Sequence, residues 1–270
     1  MMQGAIFSDI DVRDYKGVCC ASAQNFPKEF ELPIIRIKNQ KNVGSCVAHA
    51  ISSANEYYNY IQHNDDTEMS TGYIYGNRTT SSHKGAGMVV RNALEAARLY
   101  GNVTKDEFPE NVEVPQAIKL FEQRAKDLHS NAYMNRISSY CRLTNESDIK
   151  AALLDGCPVV VAMDWYSDMK VVNGILNTNH IGDDGGHCML LYGWDERGWK
   201  IQNSWGKEWG YNGVMIVPYD MVIREKWAVT DNVFEHINIE KPFKNNYLKI
   251  FVKIINWVLN LIKNQTIFVK

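Results

Sequence analysis

The stretch Asn39-Gln40-Lys41-Asn42-Val43-Gly44-Ser45-Cys46 ends on a cysteine that directly precedes a segment with helical periodicity. Apolar and small residues then recur at the spacing of one helix face, namely Val47, Ala50, Ile51, Ala54, Tyr57, Tyr58 and Ile61. Ser45 is a candidate N-cap for this helix. A helix N-terminus offers a partial positive charge and N–H groups, both of which favour a thiolate. The sequence therefore predicts a helix that begins at Cys46, with a reactive thiol at its start.

Two downstream segments supply the groups that a cysteine nucleophile needs. His187 follows Gly185-Gly186, and Asn203 opens Asn203-Ser204-Trp205-Gly206. A histidine can take the thiol proton and later give a proton to a leaving amine. An asparagine can hold the imidazole in its orientation, and we expect Trp205 to cover that hydrogen bond. We therefore interpret Cys46, His187 and Asn203 as a catalytic triad.

Gln40 lies six positions before Cys46 and is a candidate donor to an oxyanion. Attack on a carbonyl creates a negative oxygen, which the Gln40 amide and the Cys46 backbone N–H could stabilise together. We also expect the helix terminus and a neighbouring imidazolium to lower the pKa of the Cys46 thiol from about 8.5 to roughly 3.5–7.5.

Periodicity divides the chain into a helical half and a strand-rich half. Further helices are predicted after Ser70 or Thr71 and over 88–99, 115–128 and 148–154. Short apolar, β-branched runs predict strands over 158–163, 187–192, 198–202 and 213–217. This order favours an α+β fold of two lobes, in which the nucleophile and the base meet in the cleft between them.

These residues resemble the papain and cathepsin family of cysteine peptidases. In that family the His and Asn lie roughly 130–150 residues beyond the Cys, and here the intervals are 141 and 157. Residues 203–213 and 186–194 resemble the family's asparagine and histidine signatures. The segment 11–15 is similar to prokaryotic members that lack a long pro-segment. The resemblance covers roughly residues 9–220 and implies a papain-like fold with a helical N-terminal lobe and a β-rich C-terminal lobe.

The resemblance also implies a function and a set of sites. It predicts a cysteine endopeptidase that hydrolyses peptide bonds through a thioester acyl-enzyme, acts on proteins or peptides, and uses no metal or organic cofactor. Its catalytic residues would be Cys46, His187, Asn203 and Gln40. Gly85-Ala86-Gly87 is a loose counterpart of the glycine pair that lines the family's cleft, so the substrate-binding residues would be Gly85, Gly87, Gly186 and Trp205.

Departures from the family pattern leave alternatives open. Lys41 replaces the glycine usual after the Gln, and Val47 replaces an aromatic residue; these two are the hints for a scaffold protein. Val43 replaces a disulfide cysteine of secreted members, which fits a reduced compartment. One alternative is a catalytically weak scaffold or binding protein with the same fold. Another keeps the thiol chemistry but changes the reaction to transpeptidation or to cleavage of a non-protein amide.

Composition and charge give a broad frame. The net charge of −2 and the 22% of charged residues provide no basis for binding nucleic acid. The N-terminal segment lacks the basic and apolar regions of a secretory signal. We therefore expect a cytoplasmic protein whose six cysteines are reduced thiols. The expected domains are an N-terminal arm (1–33), the two-lobed peptidase domain (34–235) and a C-terminal helical extension (236–270).

The C-terminal extension has the pattern of a cationic amphipathic helix. Over residues 247–262 and just beyond, one stripe carries Lys249, Lys253, Asn256, Asn260 and Lys263, while the other positions are mostly apolar. Lysines and asparagines interrupt the pattern too often for a membrane span. Such a helix could lie on an anionic membrane surface, dock on the catalytic domain or pair with a second copy of itself.

Liposome sedimentation separates the membrane alternative from the other two. If the helix binds membranes, the intact chain sediments with anionic vesicles and a form that ends near residue 240 stays in the supernatant, because the truncation removes both the apolar face and its lysines. Equal sedimentation of the two forms would eliminate membrane binding through this segment.

Overall fold

The computed structural model describes residues 3–15, 25–177 and 184–231, and within them the α-helices lie between residues 46 and 154. The helices are α1 (Cys46–His63), α2 (Thr71–Gly76), α3 (Val90–Tyr100), α4 (Gln116–Met134) and α5 (Glu146–Leu154). A 3-10 turn at Val12–Tyr15 precedes them. No helix in these ranges is long and apolar enough to cross a membrane.

Strands dominate the second half of the described chain. They are β1 (Ala5–Ile6), β2 (Phe30–Glu31), β3 (Met88–Val89), β4 (Ser139–Arg142), β5 (Val159–Tyr166), β6 (Lys170–Val172), β7 (Ile175–Asn177), β8 (Asp184–Asp195), β9 (Gly198–Gln202), β10 (Val214–Val217) and β11 (Glu225–Thr230). Most join one sheet in the order β4-β11-β5-β8-β9-β10-β7-β6, with β2 added on β8. The helical first half and this sheet confirm the predicted α+β fold.

Helix α1 begins at Cys46, as predicted, but the expected side-chain cap at its N-terminus is absent. Ser45 occupies the N-cap position without a side-chain capping bond. Its hydroxyl lies instead 3.3 Å from Nδ1 of His49. The prediction of a capped short helix holds at α2, where Ser70 Oγ accepts the Tyr73 backbone N–H at 3.0 Å.

Helix α3 starts two residues later than its predicted start at Met88. Met88 and Val89 are extended because they pair in parallel with Ala5 and Ile6 of β1. A long-range strand partner of this kind leaves no trace in local periodicity. The predicted stop at Gly101 is confirmed: its φ is +78°, and an added Cβ would lie 1.8 Å from the Ala132 carbonyl oxygen.

The register of the sheet places the downstream candidate residues. In the β5–β8 pair, Met163 lies opposite His187 and Ala162 lies opposite Cys188. Asn203 directly follows the end of β9, which pairs with β8. Helix α1 packs against β8 and buries Val47, Ala50, Ile51 and Ala54 in the core that it shares with the sheet. This packing brings the start of α1 to the strand that carries His187.

Some sequence predictions fall outside the described residues. These include Cys19, Cys20 and the C-terminal helix over 247–262. Cys46, Cys157 and Cys188 are free thiols, as expected. Cys141 is disulfide-bonded, so the expectation of fully reduced cysteines is wrong at this position.

Candidate active site

Cys46 lies at the first position of α1 and is 0% exposed. Burial raises the pKa of its thiol to about 11, although the backbone N–H groups of Cys188, Gly4 and Val47 interact with the sulfur and act in the opposite direction. The expected lowering of the pKa is therefore wrong for this form of the protein. Desolvation disfavours the thiolate more than the helix terminus and the neighbouring N–H groups favour it.

His187 is hydrogen-bonded to Asn203, with 2.8 Å between Nε2 and Oδ1. The same Oδ1 accepts the backbone N–H of Ser204 at 2.7 Å. The Ser204 backbone N–H can only donate, so the Asn203 atom that it contacts is the side-chain oxygen. This oxygen can only accept from His187, and the imidazole must therefore carry its proton on Nε2. Burial lowers the pKa of His187 to about 4, so the imidazole is neutral and its basic atom is Nδ1. Nδ1 has no hydrogen-bond partner among the described residues.

Two tryptophans contact the imidazole, and a third packs behind them. Trp205 stacks on His187 with 4.4 Å between ring centroids, and Trp165 meets it edge-on at 5.2 Å. Trp209 packs edge-on against Trp205. The stacked position of Trp205 is the one in which the sequence predicted a cover for the His187–Asn203 hydrogen bond. The rings keep water from the His187–Asn203 bond, which strengthens it.

Gln40 is fully buried, and its side chain is fixed at both ends. Its Nε2 donates to the Val43 carbonyl at 2.8 Å, and its Oε1 accepts the Ser204 hydroxyl at 2.7 Å. Its backbone N–H also donates to the Ser204 carbonyl at 2.9 Å. These bonds join the loop before α1 to the segment that follows Asn203. The amide is thus oriented in advance of any substrate.

The candidate substrate-binding glycines lie in different surroundings. Gly186 accepts the Gly4 N–H on its carbonyl at 3.1 Å. A Cβ added at Gly87 would lie 2.7 Å from the Gly4 carbonyl oxygen, whereas one added at Gly85 would meet only the His83 ring. Gly87 and Gly186 therefore both lie against Gly4, whose N–H interacts with the Cys46 sulfur, whereas Gly85 lies against His83. Their contact with substrate stays a prediction.

Glu225 is a buried carboxylate beside this site that the sequence did not predict. Glu225 at the start of β11 is 0% exposed and pairs across the sheet with Ala162 of β5. It accepts the Trp227 indole N–H at 2.7 Å and the backbone N–H of Ser8. A glutamate between Arg224 and Lys226 is typical of a solvent-exposed charged segment, so the sequence does not indicate that Glu225 is buried.

Comparison with known proteins identifies the family. The model of the papain family cysteine proteases matches residues 26–230. The chain belongs to this family. An uncharacterized peptidase C1-like protein of Acanthamoeba polyphaga mimivirus is 30% identical over 77% of this chain and 72% of its own length. Mouse cathepsin O is 25% identical over 66% of this chain, and the match covers only 57% of the length of that relative.

Solved structures share the fold of this papain-family chain. Xylellain, a cysteine protease from Xylella fastidiosa, superposes with a TM-score of 0.70 over 85% of this chain and 96% of its own, at 22% sequence identity. The papain-like two-lobed architecture expected from the sequence is therefore present.

The burial of His49 predicts that the protein loses stability in mild acid. His49 is 1% exposed, its Nδ1 lies 2.9 Å from the Ser45 carbonyl oxygen, and burial lowers its pKa to about 4. The unfolded chain protonates this histidine below about 6.5, and the folded chain does so only below about 4. Unfolding therefore takes up a proton in this window, and stability falls as the pH falls through it.

Urea unfolding at pH 7 and pH 5 measures this effect. The His49→Asn variant keeps an N–H donor near the Nδ1 position but does not titrate. We expect the wild type to lose about 1–2 kcal/mol more than the variant between the two pH values. An equal loss in both proteins would show that His49 is not the group responsible.

Proposed function

We propose that this papain-family protein is a cysteine endopeptidase in which Cys46 is the nucleophile, His187 the acid–base group and Asn203 the residue that orients it. The observation that carries the proposal is the His187–Asn203 hydrogen bond of 2.8 Å. Trp205 stacks on the imidazole of this pair. The residue after His187 on the same strand is Cys188, and its backbone N–H interacts with the Cys46 sulfur. The bond leaves Nδ1 as the atom that can accept a proton.

The first half of the reaction forms the acyl-enzyme. His187 Nδ1 takes the thiol proton, and the Cys46 sulfur attacks the carbonyl carbon, so that a C–S bond forms. The oxygen becomes negative and is stabilised by the Cys46 N–H and an N–H of the Gln40 amide. The C–N bond then breaks as Nδ1–H protonates the leaving amine, which departs and leaves a thioester.

The second half returns the enzyme to its starting state. Nδ1 removes a proton from water, and the resulting hydroxide attacks the thioester carbon. The same two donors stabilise the second oxyanion. The C–S bond breaks, the sulfur regains its proton from Nδ1, and the carboxylic acid product leaves. Throughout, the Nε2–H bond to Asn203 keeps Nδ1 directed at the reacting atoms.

The substrates proposed for this site are proteins or peptides, which would lie along the backbone of Gly87 and Gly186. Transpeptidation or cleavage of a non-protein amide would use the same acyl-enzyme with a different acceptor or acyl group, and product masses distinguish them. A cytoplasmic location, with association of the C-terminal segment with a membrane surface or a second copy, remains a proposal based on the sequence pattern.

Replacement of the nucleophile tests the assignment directly. The Cys46→Ala variant should lose roughly 10³-fold or more of its activity on a fluorogenic peptide, because no other group forms the acyl-enzyme. Its circular dichroism should be unchanged. Cys157→Ala is the matched control, since Cys157 is also a buried free thiol. Undiminished cleavage by Cys46→Ala, or cleavage that the thiol-directed epoxide E-64 leaves untouched, would refute the assignment.

Replacement of Gln40 separates oxyanion stabilisation from thiol activation. The Gln40→Ala variant should lose about 10²–10³-fold in kcat, the usual effect of removing one oxyanion donor. Its rate of alkylation by iodoacetamide should change much less, because alkylation creates no oxyanion. Lys41→Ala, next to it and exposed, is the control. A large fall in alkylation with turnover preserved would contradict the proposed role.

A further inference from the structure

The side-chain amide of Asn203 has one end that takes no part in the bond to His187. Its Oδ1 accepts from His187 and from the Ser204 backbone N–H. Its Nδ2 is buried and has no hydrogen-bond partner among the described residues, although an NH₂ group can donate two hydrogen bonds. Asn203 is only 1% exposed, so bulk water does not reach this group. A buried donor without a partner is costly, and native proteins usually supply one.

A small cavity adjoins Asn203. It is lined by Asn203, by its neighbours Gln202 and Ser204, and by residues of α1 that include His49 and Ser53. Ser53, the most exposed of these five, is 8% exposed. The space open to a water-sized sphere is about 10 Å³, which is close to the roughly 10–15 Å³ that one buried water needs. Polar side chains from both α1 and the segment after β9 surround it, so a water there has hydrogen-bond partners.

The imidazole of His49 supplies a hydrogen-bond acceptor beside this cavity. Its Nδ1 lies 2.9 Å from the Ser45 carbonyl oxygen, which can only accept, so Nδ1 carries the proton. Burial lowers the pKa of His49 to about 4, and the ring is therefore neutral at neutral pH. Nε2 then holds a lone pair. One water molecule can accept from Asn203 Nδ2–H and donate to His49 Nε2 at the same time.

We propose that a single buried water links Asn203 Nδ2 to His49 Nε2, and that His49 is thereby a positioning residue for the reaction. The Asn203 amide is planar, so a bond at Nδ2 fixes the direction of Oδ1 and, through it, the imidazole of His187. His49 lies one helical turn after Cys46 on α1. The same turn thus carries the candidate nucleophile and the support for its base. The inference rests on the proposed function, because it gives His49 a part in that reaction.

Two replacements of His49 separate the roles of its two nitrogens. Asparagine places an amide N–H near the Nδ1 position and no acceptor at Nε2, whereas glutamine reaches the Nε2 position with an amide oxygen. His49→Asn should therefore lower kcat on a fluorogenic peptide about three- to tenfold, the kinetic equivalent of one hydrogen bond, with KM little changed. His49→Gln should retain kcat within about twofold of the wild type. Ser52→Ala is the control and should do the same, since Ser52 is a buried hydroxyl on α1 that donates to the Ser70 carbonyl.

A double-mutant cycle shows whether the effect of His49 passes through Asn203. In an Asn203→Ala background no amide remains to be positioned, so His49→Asn should lower kcat by less than about twofold. A general loss of helix stability would act in both backgrounds alike. An equal fall in the two backgrounds, or a fall in His49→Gln as large as in His49→Asn, would therefore overturn the proposal.

Two further measurements do not depend on turnover. A high-resolution crystal structure of the wild type should show one ordered water in contact with both Asn203 Nδ2 and His49 Nε2. By NMR, the His187 Nε2–H should exchange with solvent faster in His49→Asn than in the wild type, because its acceptor is less firmly held. A dry cavity, or unchanged exchange, would overturn the proposal. If both results are as expected but the wild type cleaves no peptide, the water link stands and the proposed peptidase function fails.

Discussion

The hydrogen-bonded contact between residues 38–40 and residues 204–206, here called the crossing, determines the geometry of the whole site. Gln40 exchanges backbone and side-chain hydrogen bonds with Ser204, and the Gly206 N–H donates to the Lys38 carbonyl at 2.9 Å. These groups are buried, so each would be costly to leave without a partner. The crossing fixes the loop before α1 against the segment after β9. Cys46 and Asn203, which are 157 residues apart in sequence, are thereby held on one side of the molecule.

The pKa values of the candidate site depend on its burial. With Gly4 above Cys46, both reacting groups are fully buried; the pKa of the thiol rises to about 11 and that of His187 falls to about 4. Both shifts have desolvation as their largest cause, and both disfavour the ion pair that thiol catalysis uses. Burial thus favours the neutral forms of both the Cys46 thiol and the His187 imidazole.

The sequence predicted most of the elements that carry the site, and its errors have a common cause. The start of α1 at Cys46, the Ser70 cap and the Gly101 stop are confirmed. The last two depend on local capping and backbone rules, whereas the expected Ser45 cap of α1 is absent. Of the eleven strands in the described residues, only β5, β8, β9 and β10 were predicted, and the other seven were missed. Met88–Val89 is extended through its pairing with Ala5–Ile6, and β11 is completed by its pairing with β4 and β5. Strand pairing is decided by partners distant in sequence, which a single segment does not reveal.

By itself, the sequence identified the candidate catalytic residues and their order: a cysteine at a helix start, a histidine on a strand and an asparagine shortly before a tryptophan. Residue type and spacing carry this information because the reaction requires those functional groups. Only the tertiary structure decided that the Gly4 N–H meets the Cys46 sulfur, that Glu225 is buried and that burial raises the pKa of the thiol. Each of these depends on which distant surfaces meet and exclude water, and burial is a property of the packed chain that no local pattern encodes.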